Sequence, residues 1–294
     1  MDRIVFSGRG SEKLGYMVSR LLKCEYGRAI YKKFPDNESY IRFLSDVEGR
    51  DIILIYSLGL NPNEYLIETL LSAKTLRELG CGKIRLVIPY FAYARQDERF
   101  NPGEAISIKI ISEFIGKMDI DEIYTIDMHL HRYRDISDLF NIPAYNLTAM
   151  EEIAKYISKK YVLNNPLVIG PDSEAEQWAK IVAKKLDTEY DILEKKRVDE
   201  YNVVIVARKI NIKNRDIVIV DDIISTGGTV IESVNALKKM GANKIIVACT
   251  HPLLVDDALR KIYSTGVFDL IGTDTVPSPV SYVSVAPIIA EALK

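Results

Sequence analysis

Two adjacent carboxylates followed by a turn of hydroxyls and glycines are the residues best suited to chemistry. In Asp216-Ile217-Val218-Ile219-Val220-Asp221-Asp222-Ile223-Ile224-Ser225-Thr226-Gly227-Gly228-Thr229, an apolar strand ends on the Asp pair and a helix pattern begins after the turn. Backbone N–H groups around the Gly pair can close on an anion. The helix N-terminus adds positive partial charge, and the Ser/Thr hydroxyls donate further hydrogen bonds. Asp221 and Asp222 would repel a phosphate; they suit the hydroxyls of a sugar ring or a magnesium ion. A phosphorylated sugar satisfies both halves of the segment at once. The bland alternative is a strand ending in Asp before a Ser/Thr-capped helix. It accounts for one Asp and one cap, but not for two Asp before Ser-Thr-Gly-Gly-Thr. With no Lys at the Walker position, the segment is not a P-loop.

A second polar loop follows the apolar run Lys83–Pro89: Tyr90-Phe91-Ala92-Tyr93-Ala94-Arg95-Gln96-Asp97-Glu98-Arg99-Phe100. Arg95 could meet a polyphosphate and Gln96 a base edge. A solvated surface loop accounts for the same residues equally well, so both readings stand. His129 at a strand end reads by itself as a satisfied histidine. Cys24, Cys81 and Cys249 are few, odd in number and far apart, with no CxxC pair, which excludes a disulfide scaffold. They read as small buried hydrophobes in a reducing compartment.

The elements that must carry these loops alternate regularly. Arg3–Phe6, Asp51–Tyr56, Lys83–Pro89, Glu122–Ile126, Leu167–Ile169, Val203–Val206, Asp216–Val220, Lys244–Cys249 and Phe268–Ile271 read as strands. Their near-continuous Val/Ile/Leu content suits parallel strands covered on both faces. Between them lie helical stripes, among them Leu14/Val18/Leu21/Leu22, Leu66/Leu70/Ala73, Ile108/Ile111/Ile115, Trp178/Ile181/Val182/Leu186 and Val230/Val234/Leu237. Trp178 sits inside its stripe and reads as core. The alternation predicts open α/β sheets with ligands beyond the carboxyl ends of the strands. At 294 residues two domains are expected. The rhythm restarts near Pro143–Asn146, giving domains over 1–144 and 145–294, with the last helix a candidate to pack on the first.

Apolar residues make up 48% and charged residues 27%, an ordinary globular composition that excludes a disordered chain. No apolar run reaches membrane-span length, and the start lacks signal-peptide character, so a cytoplasmic protein is expected. A net charge of −2 argues against non-specific nucleic-acid binding.

The Asp221–Thr229 segment resembles the PRPP (phosphoribosyl diphosphate) signature shared by type I phosphoribosyltransferases and ribose-phosphate diphosphokinases. Other blocks separate the two families. The Arg95-Gln96-Asp97 loop resembles the nucleotide loop of the diphosphokinases, which the transferases lack. Phe34-Pro35-Asp36-Asn37-Glu38 resembles their adenine loop, usually Phe-x-Asp-Gly-Glu, which in that family reaches into a neighbouring subunit's site. Asn37 replaces the Gly but also tolerates left-handed backbone. Asp127-Met128-His129 resembles the Asp-Leu-His segment near the ATP phosphates and magnesium. Pro171-Asp172 resembles the Pro-Asp loop, here followed by Ser173-Glu174 in place of glycines. Leu193-Glu194-Lys195-Lys196-Arg197 resembles the catalytic flexible loop. The five blocks beyond the PRPP signature keep the family order along nearly the whole chain.

The resemblance implies two phosphoribosyltransferase-like domains, each a mainly parallel sheet flanked by helices. It implies an enzyme, Mg²⁺-dependent and at least dimeric, that converts ATP and ribose 5-phosphate into PRPP and AMP for nucleotide biosynthesis. ATP would engage Phe34, Asp36, Asn37, Glu38, Arg95, Gln96 and Asp97. Ribose 5-phosphate would engage Asp221, Asp222, Ser225, Thr226, Gly227, Gly228, Thr229 and Arg197. His129 and Asp172 would serve the metal, and Lys195 and Arg197 would close over the transferring diphosphate. Three rivals are a phosphoribosyltransferase, a non-catalytic regulatory paralogue and a dinucleotide-binding dehydrogenase. Gly8-Arg9-Gly10 follows a strand, as the last would require, but its third Gly is out of register.

Overall fold

The computed structural model describes residues 2–197, 203–208 and 210–294; for 195–197, 203 and 204 it describes the backbone alone. The chain divides into two compact units, one of Met1–Thr148 with Val285–Lys294 and one of Ala149–Ser284.

Among the described residues, the first unit contains β1 (Arg3–Ser7), α1 (Glu12–Leu22), β2 (Glu25–Tyr26), β3 (Ala29–Lys33), β4 (Ser39–Phe43), β5 (Asp51–Ile55), α2 (Pro62–Glu78), β6 (Ile84–Ile88), α3 (Ser107–Gly116), β7 (Glu122–Ile126) and β8 (Ala144–Leu147). Six strands form a parallel sheet in the order β2-β1-β5-β6-β7-β8. Every residue of β5 is buried, as its unbroken Asp-Ile-Ile-Leu-Ile run requires of a strand covered on both faces. β8 occupies the segment where the sequence rhythm placed the domain seam, so the units part a few residues later. β3 and β4 form a separate antiparallel pair that pairs Lys33 with Ser39.

The second unit contains α4 (Met150–Lys160), β9 (Leu167–Gly170), α5 (Glu176–Leu186), β10 (Glu189–Arg197), β11 (Val203–Ala207), β12 (Ile217–Ile224), α6 (Gly228–Lys239), β13 (Ile245–Pro252), α7 (Ala258–Ser264), β14 (Asp269–Thr273) and β15 (Ser281–Val283). The sheet order is β11-β10-β9-β12-β13-β14-β15, parallel except where β11 pairs with β10. Strand alternation sends Ile217 and Ile219 to one face with Val230 and Val234 of α6. It sends Val218 and Val220 to the other, with Trp178, Ala179 and Val182 of α5. Trp178 is therefore core, as its stripe predicts. The last helix, α8 (Ala286–Ala292), belongs to the first unit: it packs on α1, and Arg3 donates from Nη1 to the Leu293 carbonyl at 2.7 Å.

Two differences from the sequence reading bear on the candidate site. β12 does not stop at Val220 but pairs onward, Asp221 with Cys249 and Ile223 with His251, so the Asp pair lies within the strand, two residues before its end. Lys195–Arg197 is not loop in its backbone. It is the end of β10, paired in register with 203–205 of β11. A charged run at the end of β10, beyond its pairing with β9, lacks the apolar signature that marks a covered strand.

Candidate active site

The hydroxyl-glycine turn lies between β12 and α6, at the carboxyl end of the sheet. Gly227 is the N-cap of α6 with φ +79°, and no side chain caps the helix. The first-turn N–H groups therefore lack the side-chain acceptor that would ordinarily satisfy them. Thr226, Gly228 and Thr229 are exposed around that helix end, so the turn can close on an anion. The next loop straps the turn from behind: Leu254 and Val255 donate from their backbone N–H to the carbonyls of Ile224 and Ser225, at 3.0 and 3.1 Å.

Before the turn, Asp221 accepts from the Asp222 N–H at 3.0 Å, and Asp222 accepts from the Ile223 N–H at 2.8 Å. Asp221 keeps part of its surface open, yet protein surrounds its carboxyl. Burial first, then repulsion from Asp222 and Asp172, pushes that carboxyl well above the usual carboxylate range. Asp172 lies in the exposed loop after β9 and accepts from the N–H groups of Glu174 and Ala175, at 2.9 and 3.2 Å. These bonds fix the Asp172 carboxylate without the glycines of the family pattern. Cys249, fully buried behind Asp221, has its thiol pushed up, chiefly by burial. It is a packing residue rather than a nucleophile.

A cleft of about 510 Å³ opens here, lined by Asp172, Ser173, Glu194, Arg208, Thr229 and Ser233. That is room for a small phosphorylated sugar. Arg208, which the sequence reading did not single out, pairs with Glu176 at 3.1 Å and lies 3.9 Å from Glu194. The side chains of Lys195 and Arg197 lie outside the described residues, as do residues 198–202.

In the first unit, Phe34–Glu38 forms the tip of the β3–β4 hairpin. All five residues are exposed. Phe34 donates to the Glu38 carbonyl and Asn37 to the Phe34 carbonyl, both at 2.9 Å. Asn37 takes φ +73°, the left-handed backbone expected where the family carries Gly. Phe34 stands edge-to-face on Tyr40, with centroids 5.6 Å apart, and leaves its other surface open.

In the loop after β6, Arg95 is exposed and makes no ion pair or hydrogen bond among the described residues. Gln96 is used differently. Its amide donates to the Glu98 carbonyl at 3.2 Å and to Glu104 Oε2 at 3.1 Å, so both its N–H donors brace the loop. Asp97 is buried and lies 3.8 Å from Arg132, another brace. His129, half-buried after β7, approaches His131 edge-to-face with 3.0 Å between Nδ1 and Nε2. The loop entering it is set by Asn146, whose Oδ1 accepts from the Met128 N–H at 2.9 Å.

Gly8-Arg9-Gly10 serves packing and pairing instead of a dinucleotide. A Cβ on Gly8 would lie 1.9 Å from the Tyr56 ring, and Arg9 turns onto Glu64 and Glu68 of α2. No described helix is long and apolar enough to cross a membrane.

Residues 3–118 match the model of the N-terminal domain of ribose phosphate pyrophosphokinase, and residues 135–282 match that of the phosphoribosyl transferase domain. A ribose-phosphate pyrophosphokinase of Methanothermobacter thermautotrophicus is 41% identical over 284 residues, covering 97% of each chain. One from Pyrococcus furiosus is 40% identical over 262 residues, covering 89% of this chain and 91% of the other. The crystal structure of phosphoribosylpyrophosphate synthetase from Mycobacterium smegmatis superimposes with a TM-score of 0.89 at 26% identity, covering 100% of this chain and 98% of that one.

Proposed function

The chain belongs to the ribose-phosphate pyrophosphokinase family, and on that premise we propose where its substrates sit and which residues act on them. The enzyme transfers the β,γ-diphosphate of ATP to the C1 hydroxyl of ribose 5-phosphate, giving PRPP and AMP. The observation that carries the placement is the uncapped N-terminus of α6, one short turn beyond the strand that carries the Asp pair. The sugar's 5-phosphate takes the N–H groups and hydroxyls of Ser225–Thr229. Asp221 and Asp222 take the ribose hydroxyls a few ångströms away along the same ligand.

ATP takes the first unit's residues. Phe34 stacks on the adenine with its open face. Asp36, Asn37 and Glu38 hold the turn and offer polar contacts at its rim. Arg95, with no partner among the described residues, meets the polyphosphate, and Gln96 and Asp97 keep its loop in shape. The exposed tip at 34–38 suits the family's subunit-crossing role, so the working unit is at least a homodimer. It works in the cytoplasm without nucleic-acid or membrane partners.

Members of this family are generally metal-dependent, and the residues present fit a hard divalent cation. Asp221, Asp222 and Asp172 are all oxygen donors, and their mutual repulsion is what such an ion relieves. Asp172 and Asp221 would hold Mg²⁺, which neutralises phosphate charge when bound. His129 supplies nitrogen, a poor donor for that ion, and its role is a contact to phosphate oxygen.

The C1 hydroxyl oxygen attacks the β-phosphorus in line. The bond from that phosphorus to the α,β-bridging oxygen breaks, AMP departs with the oxygen, and the hydroxyl proton is lost. Positioning and charge neutralisation supply most of the rate for two anionic reactants. Lys195 and Arg197 close over the β,γ-diphosphate, and Arg197 also reaches the sugar phosphate. A coupled assay for AMP tests the reading. AMP should form only when ATP and ribose 5-phosphate are both present, in equal amount to PRPP. Release of ADP, or consumption of PRPP with a free nucleobase, would overturn it.

A further inference from the structure

The hairpin that carries Phe34–Glu38 is a two-stranded pair, and such a pair is marginal on its own. Its far end and its middle are pinned by aromatic contacts. Phe43, the last residue of β4, meets Phe6 edge-to-face at 4.8 Å, and Tyr31 meets Tyr56 at 6.3 Å. These leave the exposed tip unsupported. The two residues that flank the tip, Lys33 and Ser39, are a cross-strand pair. Each is tied to a different carboxylate of α2. Lys33 Nζ bonds Glu64 Oε2 at 2.5 Å, and Ser39 Oγ donates to Glu68 Oε1 at 3.0 Å. Glu64 and Glu68 are one helical turn apart, and Arg9 bridges both. Its Nε reaches Glu68 Oε2 at 3.5 Å, and the hydrogen bond to Glu68 raises the already basic guanidinium further.

Glu68 is 1% exposed. Sinking a carboxylate that deeply is costly unless every oxygen is engaged, and here Arg9 and Ser39 engage both. A buried, fully engaged charge also has one low-energy arrangement, so it fixes the orientation of whatever it holds.

From this arrangement we infer that Arg9, Glu64 and Glu68 form a clamp that aims the Phe34–Glu38 tip at the nucleotide, with Lys33 and Ser39 as its two grips. The clamp residues are positioning residues. They act through the tip and not on the reacting atoms. The inference rests on the reading of Phe34–Glu38 as the adenine loop, and the test separates the two.

Steady-state kinetics are measured on full-length Lys33→Met, Glu64→Gln and Ser39→Ala, with Phe34→Ala as the probe of the loop itself. A loosened tip should raise KM for ATP about tenfold, leaving kcat and KM for ribose 5-phosphate within about twofold. Ser39→Thr, which keeps the hydroxyl, should restore the wild-type value. Lys33→Met combined with Glu64→Gln should be no worse than Glu64→Gln alone, because the link to Lys33 is already gone. If Phe34→Ala raises KM for ATP but the grip variants do not, the clamp is wrong and the adenine-loop reading stands. If Phe34→Ala leaves KM for ATP unchanged, both fail. If the grip variants lower kcat and raise both KM values together, the network is general scaffolding and the clamp is likewise overturned.

Discussion

Ile262 Cδ1 lies 2.9 Å from the point where a Cβ on Gly227 would stand. The first residue of α6's cap is thus glycine for two reasons at once: its φ is +79°, and α7 fills the space a side chain would need. Both bear on the anion cup, because Gly227 sits between the hydroxyls of Thr226 and Thr229.

Gly227→Ala should therefore destabilise the protein by about 1–3 kcal/mol through backbone strain and the clash. It should also raise KM for ribose 5-phosphate at least about tenfold, since the cup's N–H groups turn away. Adding Ile262→Val removes Cδ1 and should recover part of the stability, but not the KM, which depends on the backbone. Thermal unfolding and initial rates on the single and double variants check this.

Asp221 separates function from stability. Its charge is disfavoured by burial and by Asp222 and Asp172. Asp221→Asn keeps an oxygen for the Asp222 N–H and removes the repulsion. The unfolding midpoint, measured by scanning calorimetry without metal, should rise by roughly 2–4 °C. Activity should fall at least about a hundredfold, as the ribose and metal lose their carboxylate. A variant that is both active and more stable would remove Asp221 from the site.

Lys195 is assigned to the moving diphosphate. Lys195→Ala should lower kcat by about a hundredfold or more and leave KM for ATP within a few-fold, since a charge used mainly in the transition state shows in kcat. A rise in KM with kcat intact would make it a ground-state contact only.

The link between Tyr161 and Asp269 predicts an alkaline effect. The Tyr161 hydroxyl donates to Asp269, and burial first, then that carboxylate, pushes the phenol up to about 12. A group whose folded value is raised adds stability below its unfolded value of about 10, and loses it as pH climbs toward the folded value. The unfolding midpoint of the wild type should exceed that of Tyr161→Phe at pH 8, and the gap should close between about pH 10 and 12. A gap that is constant across that range would contradict the assignment.

The sequence showed the parallel-sheet strands plainly wherever both faces are covered, as in Ile217–Val220, because continuous Ile/Val is the direct trace of double burial. It also carried the left-handed turn at Asn37. The continuation of β12 through two carboxylates was hidden, since charge reads as a strand's end while the backbone goes on pairing. The strand character of Lys195–Arg197 was hidden for the same reason. Gln96 read as a ligand residue because its type suits a base edge. Its engagement with Glu104, eight residues on, is a matter of loop conformation that spacing does not reveal. Glu68 does not stand out in the sequence because a Glu in a helix reads as surface. The signal in the sequence is the i,i+4 spacing of Glu64 and Glu68; the structure, with Ile67 exposed and Thr69 buried, turns that polar side of α2 inward.

The most direct test of the account is a crystal structure with a non-hydrolysable ATP analogue, Mg²⁺ and ribose 5-phosphate. The 5-phosphate should lie within hydrogen-bonding distance of the N–H groups of 226–229, with ribose hydroxyls on Asp221 and Asp222 and adenine against Phe34. A sugar phosphate bound elsewhere, with the turn before α6 left to solvent, would contradict it.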